Sequence, residues 1–320
     1  MARSTDPAGR DRLLCFDLGG TKLRAAHVDR KGRILAHAVL PVRQHEGYDG
    51  LVRLFKETAD LLPKVPFSQV AVASAGPLHP DKGILLDPTN FFTDEASWGV
   101  LPLKASLRKV FRKPVWLEND AAAAVLGERW KGGHGRTKNI VAMTLGTGVG
   151  VGVLCDDQLV RAGRGLHPEA GHIPLDINAK DYPCGCGANG CIEAFLAGSH
   201  FARRLSRLKS KGRGHHKLSG QEAVALAKAG DRQVQEAFRA YGRHLAAAIR
   251  ILCVMFAPEV VVISGGFSHA ASLFLPETQA VLPELMERYR EGIDLLPEIR
   301  VSRLQDDAGI LGAAFLGWSK

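Results

Sequence analysis

Apolar and polar positions alternate with two different periods along this chain, and the switches between them outline an α/β protein. Residues 13–16 form a short apolar run that ends in Asp17. A Gly-Gly turn leads to a second run at 23–28, and the polar turn Asp29-Arg30-Lys31-Gly32 leads to a third at 34–39. Strands joined by turns this short pair as antiparallel neighbours. The period then lengthens to that of a helix, with Leu51, Leu54, Phe55, Ala59 and Leu62 on one face until Pro63 stops it. Residues 70–73 and 115–117 read as buried strands, and 121–126 opens a helix.

The pattern then restarts. A strand at 140–145, the turn Gly146-Thr147-Gly148, a strand at 149–154 and the acidic turn Asp156-Asp157 repeat the opening order, about 130 residues further on. Two such units predict a duplicated fold with a cleft between halves. Ser219 and Glu222 have capping-box spacing for a helix reaching residue 229. Leu245, Ala248, Ile249, Leu252 and Phe256 form a helical stripe that Pro258 ends. The apolar strand 260–263 runs into Ser264-Gly265-Gly266, and a final helix covers 308–316.

Composition narrows the class. The 320 residues are 46% hydrophobic and 23% charged, which excludes a mostly disordered chain, a collagen-like repeat and a membrane bundle. At about 150 residues per domain the length allows two domains. The net charge is +9. The basic run at 203–217 carries no aromatic residue for base stacking, so it reads as a solvated helix face and loop, with no nucleic-acid partner. The most apolar stretch, 245–263, is broken by Arg250, Pro258 and Glu259, and no membrane span is expected. Residues 1–12 are polar, without the apolar core of a signal peptide. They read as a disordered tail, and the protein as cytoplasmic.

Several clusters could carry chemistry. In Asp17-Leu18-Gly19-Gly20-Thr21-Lys22 two glycines let backbone approach a phosphate, Thr21 adds a hydroxyl and Lys22 a charge, and Asp17 could hold Mg²⁺. A purely structural hairpin would also explain these glycines. Gly146-Thr147-Gly148 repeats the logic, and two such turns could clamp a polyphosphate. Gly265 and Gly266 would suit an adenine or ribose. Glu118-Asn119-Asp120 stands where a strand becomes a helix. One of Asn119 and Asp120 can cap the helix while the other takes a hydroxyl proton during phosphoryl transfer. Cys184, Cys186 and Cys191 crowd a glycine-rich loop, and His172 is the natural fourth ligand for a structural Zn²⁺; a disulfide or reactive thiol pair is the alternative. Such a site would pin Glu169 and Glu193, whose carboxylates could accept from vicinal sugar hydroxyls.

These motifs, in order, resemble the ROK family of bacterial sugar kinases and related repressors. The resemblance runs over nearly the whole chain, through Asp17 to Lys22, Glu118 to Glu128, Glu169 to His172 with Cys184 to Glu193, and 262–266. It implies an actin-like ATPase (sugar kinase, RNase H-like) fold of two lobes around a cleft. The smaller lobe would be 13–120 joined by a C-terminal helix at 306–320, and the larger 121–305 with the zinc loop. It implies ATP with Mg²⁺ as donor and a hexose 6-hydroxyl as acceptor, with glucose the leading sugar. Asp120 would be the base, and Asn119, Glu169, His172 and Glu193 sugar contacts, with Gly76 and Asn90 shaping the pocket. A homodimer or homotetramer is implied.

Ala122 replaces an Asn common in the family. His167-Pro168-Glu169 replaces the Ala-Gly-Glu frequent in glucokinases and matches fructokinase-like members. The sugar thus stays open among glucose, fructose, mannose and N-acetylated amino sugars. A DNA-binding repressor is disfavoured, since sixteen residues before Asp17 are too few for a helix-turn-helix domain.

Overall fold

The computed structural model describes residues 9–88, 92–93, 96–210, 218–289 and 291–320. The chain forms two compact units of nearly equal length: Met1–Gly135 with Leu159–Pro168 and Asp307–Lys320, and Arg136–Gln158 with Glu169–Asp306.

The first unit is built on a five-stranded sheet in the order Val115–Asn119, Val70–Ser74, Arg12–Leu18, Lys22–Asp29, Ile34–Pro41. Arg12–Leu18 and Lys22–Asp29 form the antiparallel hairpin that the Gly-Gly turn requires, with Leu18 opposite Leu23. On its other side Arg12–Leu18 pairs in parallel with Val70–Ser74, which pairs in parallel with Val115–Asn119. Val70–Ser74 is buried throughout, whereas the edge strand Ile34–Pro41 alternates half-buried and exposed residues. A central parallel strand is covered on both faces, and an antiparallel edge keeps one face wet.

One side of this sheet packs on the helices Gly47–Asp60 and Leu103–Phe111 through Phe16, Leu18, Leu51, Phe55 and Leu107. The C-terminal helix Ala308–Trp318 covers Leu13 and Ala71 on the other side; a Cβ on Gly317 would lie 2.7 Å from Leu13. Ala308–Trp318 also crosses the helix Asp120–Lys131 almost at backbone contact. A Cβ on Gly312 would stand 1.7 Å from the Ala123 carbonyl oxygen, and one on Gly127 would stand 2.3 Å from that of Ala308. This crossing carries the unit beyond the boundary expected at 120, to Gly135, so the expected smaller lobe is not smaller. The expected tail also ends early. Arg12 already pairs with Asp29, and its carbonyl accepts from the Ser68 N–H at 3.0 Å; residues 1–8 lie outside the described set.

The second unit repeats the design. Its sheet runs Gln158–Leu159, Val149–Cys155, Ile140–Leu145, Val260–Ser264, Glu298–Val301. Again a hairpin with a glycine turn comes first, and its leading strand continues into two parallel neighbours. Asp156 and Asp157 both take positive φ, 48° and 62°, the conformation a tight hairpin turn needs. The helix Arg232–Phe256 is capped by Asp231 and ends at Ala257 in the left-handed conformation, just before Pro258. It buries Phe238, Tyr241, Leu245, Ile249 and Leu252. The capping box of Ser219 and Glu222 forms as the spacing predicts. Sequence reading did not mark the helices Leu103–Phe111 and Ala271–Leu285 or the strand Glu298–Val301, and it placed only the later part of the helix Gly198–Ser210. Pro276 and Pro283 lie inside Ala271–Leu285, where a pattern reading sees stops.

Candidate functional site

Asn119 and Asp120 divide their roles cleanly. Asn119 is the N-cap: its Oδ1 accepts from the N–H groups of Ala121 and Ala122 at 2.9 and 3.1 Å. The cap satisfies donors that a helix start leaves open. Asn119 is 4% exposed, and its Nδ2 reaches the Gly76 carbonyl at 3.5 Å. Asp120 is then the first helical residue, and its Oδ1 accepts the Ala121 N–H at 2.8 Å. Burial raises the Asp120 carboxyl above the usual carboxylate range, partly offset by hydrogen bonds from backbone. Burial thus favours the protonated form of this carboxyl, the direction expected of a group that takes up a proton.

The residue before this pair is fully buried. Both oxygens of Glu118 are held by Arg161, Oε1 by Nη1 at 2.8 Å and Oε2 by Nη2, and Oε1 also accepts the Asn119 N–H at 2.9 Å. Arg161 lies 43 residues away, and no local signal marked it. Gly76 has φ +92°, and a Cβ there would lie 2.5 Å from Pro88, so this bend admits glycine alone. Asn90 lies outside the described residues.

The glycine turns differ in detail. At the first, Gly19 N–H donates to the Lys22 carbonyl at 3.0 Å, and the Gly20 carbonyl accepts from Gln44. Thr21 and Lys22 are exposed there. Asp17 lies against the start of the C-terminal helix, where a Cβ on Gly309 would stand 2.9 Å from its carboxyl. At the second, the Gly146 carbonyl accepts the Gly198 N–H at 2.8 Å, and the Thr147 carbonyl accepts from Ser199 Oγ at 2.7 Å. Gly265 has φ +81° and lets the chain cross the Leu145 backbone, so close packing alone accounts for it. Gly266 faces open space.

The cysteine loop and the second glycine turn prove to be one cluster. His172, Cys184, Cys186 and Cys191 bring their ligand atoms within 4.8 Å of one another. His172 Nδ1 is 3.3 Å from Cys184 Sγ, and Cys186 Sγ is 3.7 Å from Cys191 Sγ. Zn–S bonds of about 2.3 Å in a tetrahedron separate sulfurs by about 3.8 Å, so the set fits a zinc ion and leaves no ligand position open. The cysteines are unbridged. Gly171 allows the His172 turn to press on Val149, whose carbonyl oxygen would lie 2.1 Å from a Cβ at that site.

Glu193, two residues past Cys191, reaches both sides. Its Oε1 is 3.6 Å from Cys184 Sγ, and its Oε2 accepts the Val149 N–H at 3.0 Å. A side chain on Gly148 would displace it, since a Cβ there falls 2.5 Å from Oε2. Arg204 falls in the basic run read above as a solvated face, yet it is drawn inward, donating to the Ala194 and Phe195 carbonyls at 2.5 and 2.7 Å and so closing the short helix that holds Glu193; residues 211–217 of that run lie outside the described residues. Glu169 is exposed, and its carbonyl accepts the His172 N–H at 3.0 Å.

Known proteins share this organisation. The model of the ROK family matches residues 13–319. A glucokinase of Thermotoga maritima is 33% identical over 314 residues, covering 95% of this chain and 96% of that protein. An N-acetyl-D-glucosamine kinase of Yersinia pseudotuberculosis is 28% identical over 309 residues, or 94% and 97% of the two chains. The crystal structure of a ROK family glucokinase from Streptomyces griseus in complex with glucose and AMPPNP matches at a TM-score of 0.80 and 27% identity, covering 97% of this chain and all of that one. The two sheets are therefore those of the actin-like ATPase fold of ROK sugar kinases. With the family model spanning the chain from the first strand to the last helix, this protein belongs to the ROK family.

Proposed function

We propose that this chain is an ATP-dependent hexose kinase that phosphorylates a 6-hydroxyl, with glucose as the principal sugar. The observation that carries the reading is the division of labour at the helix start: Asn119 takes the cap and leaves Asp120 as a half-buried carboxyl of raised pKa. Similarity to glucokinases supports the sugar, and the AMPPNP complex of the Streptomyces griseus relative supports ATP as donor.

In this reading Asp120 accepts the 6-hydroxyl proton as that oxygen attacks the γ-phosphorus, and ADP leaves. Catalysis rests on positioning and charge stabilisation, since the phosphoryl group needs little covalent help. Gly76, Asn90, Asn119, Glu169, His172 and Glu193 hold the sugar. The donor side comprises Asp17, which would hold Mg²⁺, with Gly19, Gly20, Thr21, Lys22, Gly146, Thr147, Gly148, Gly265 and Gly266. A structural Zn²⁺ on His172, Cys184, Cys186 and Cys191 would lock the loop that presents Glu169 and Glu193. The crowding of four ligand atoms at tetrahedral spacing supports it.

Among the described residues no helix is long and apolar enough to cross a membrane. We place the protein in the cytoplasm as a homodimer or homotetramer. An N-acetylated amino sugar is the second reading, favoured by the similarity to N-acetyl-D-glucosamine kinases. Phosphorus NMR of the product tests the position of transfer. Glucose 6-phosphate is the expected species, and a phosphate at the anomeric carbon would contradict the reading.

A further inference from the structure

Glu118 is wholly buried, one residue before the end of the strand that presents Asp120, and the only part of the proposed machinery its carboxylate meets, among the bonds described, is the Asn119 backbone N–H. Both its oxygens go to one guanidinium, that of Arg161. A buried carboxylate needs such a partner, and the two-point fork fixes direction as well as charge. Arg161 comes from 159–168, a segment of the first unit between two stretches of the second, which resumes at Glu169. The segment is closed on itself by the Ala162 N–H, which donates to the Leu166 carbonyl at 2.9 Å. Arg161 is thus its one described side-chain tether to the strand end, eight positions before Glu169 and eleven before His172.

We propose that Arg161 is a positioning residue of the kinase. Through Glu118 it fixes the strand end that orients Asn119 and Asp120, and it anchors the segment that continues into Glu169 and His172. It also cancels a buried negative charge two residues from the base. The proposal rests on the roles given above to Asp120, Glu169 and His172.

The test compares wild type with Arg161→Lys, Arg161→Ala, Glu118→Gln and the Arg161→Ala/Glu118→Gln double variant. All are first checked for folding by circular dichroism. In Arg161→Ala the KM for glucose should rise about tenfold or more, and kcat should fall, while the KM for MgATP stays within about twofold. These magnitudes follow the loss of one bidentate charged contact. The acid limb of kcat should move to higher pH, because an uncompensated Glu118 disfavours ionised Asp120. Arg161→Lys should recover part of the loss, and the double variant should be little worse than either single one.

Wild-type KM and pH profile in folded Arg161→Ala, or fully additive losses, would overturn the proposal. Amide exchange provides a readout without turnover: protection across 159–172 should fall in Arg161→Ala, and unchanged protection would also overturn it. Should wild-type protein turn over no sugar, the kinase reading fails, while exchange still decides whether Arg161 is the anchor.

Discussion

The role proposed for Asp120 carries a cost to stability. Its carboxyl pKa is raised by burial, so the folded chain holds that proton more tightly than the unfolded one. Stability from this group is therefore unaffected below the ordinary carboxylate pKa of about 3.9, falls as pH rises through the raised value, and stays lower at neutrality. Asp120→Asn keeps the Oδ1 acceptor for Ala121 and removes the charge. Thermal unfolding should show a higher midpoint for this variant at pH 7 and none of that gain near pH 3. The same substitution should cut turnover by roughly 10³-fold, the scale of a lost general base. A variant that is active, or equally stabilised at both pH values, would contradict the assignment. For the wild type, kcat should fall on acidification with a midpoint above the usual carboxylate range. At this scale the sequence was legible where partners are local: the helix cap beside Asp120, and the crowding of three cysteines within eight positions. Arg161 and Arg204 were not, because each meets its partner through the fold and neither stands in a motif.

Elements are placed here by what glycine permits. The crossing of Asp120–Lys131 and Ala308–Trp318 works because Gly127 and Gly312 present no side chain to the facing carbonyls. Gly312→Val should cost about 2 kcal/mol or more by overpacking, read from urea unfolding, and should lower activity because the helix that Gly312 packs against begins with Asp120. Loss of the Ser219 cap by Ser219→Ala should cost about 1 kcal/mol and leave turnover unchanged. The cysteine loop should carry about one zinc per chain by elemental analysis, from its count of four ligands. Cys186→Ser should lose the metal, and purified, unchelated protein without metal would remove the zinc assignment. The capping box and the hairpin turns could be read early because their hydrogen bonds close within a few residues. The helix Ala271–Leu285 could not, since its two prolines imitate breaks and burial of Phe274, Thr278 and Leu282 outweighs them.

Across the whole molecule one arrangement occurs twice. Each unit sets a glycine-turn hairpin beside two parallel strands, and sequence periodicity exposed the hairpins of both. The boundaries at 159–168 were not visible, because those residues rejoin the first unit by packing that no local pattern announces. The central claim is that this molecule moves phosphate from ATP to one hexose using Asp120. Its most direct test is ADP release from MgATP with glucose, mannose, fructose, N-acetylglucosamine, N-acetylmannosamine or no sugar, with Asp120→Ala protein as the blank. The account predicts Asp120-dependent turnover with glucose well above every other sugar. Silence across the panel, or release that persists in Asp120→Ala, would contradict it.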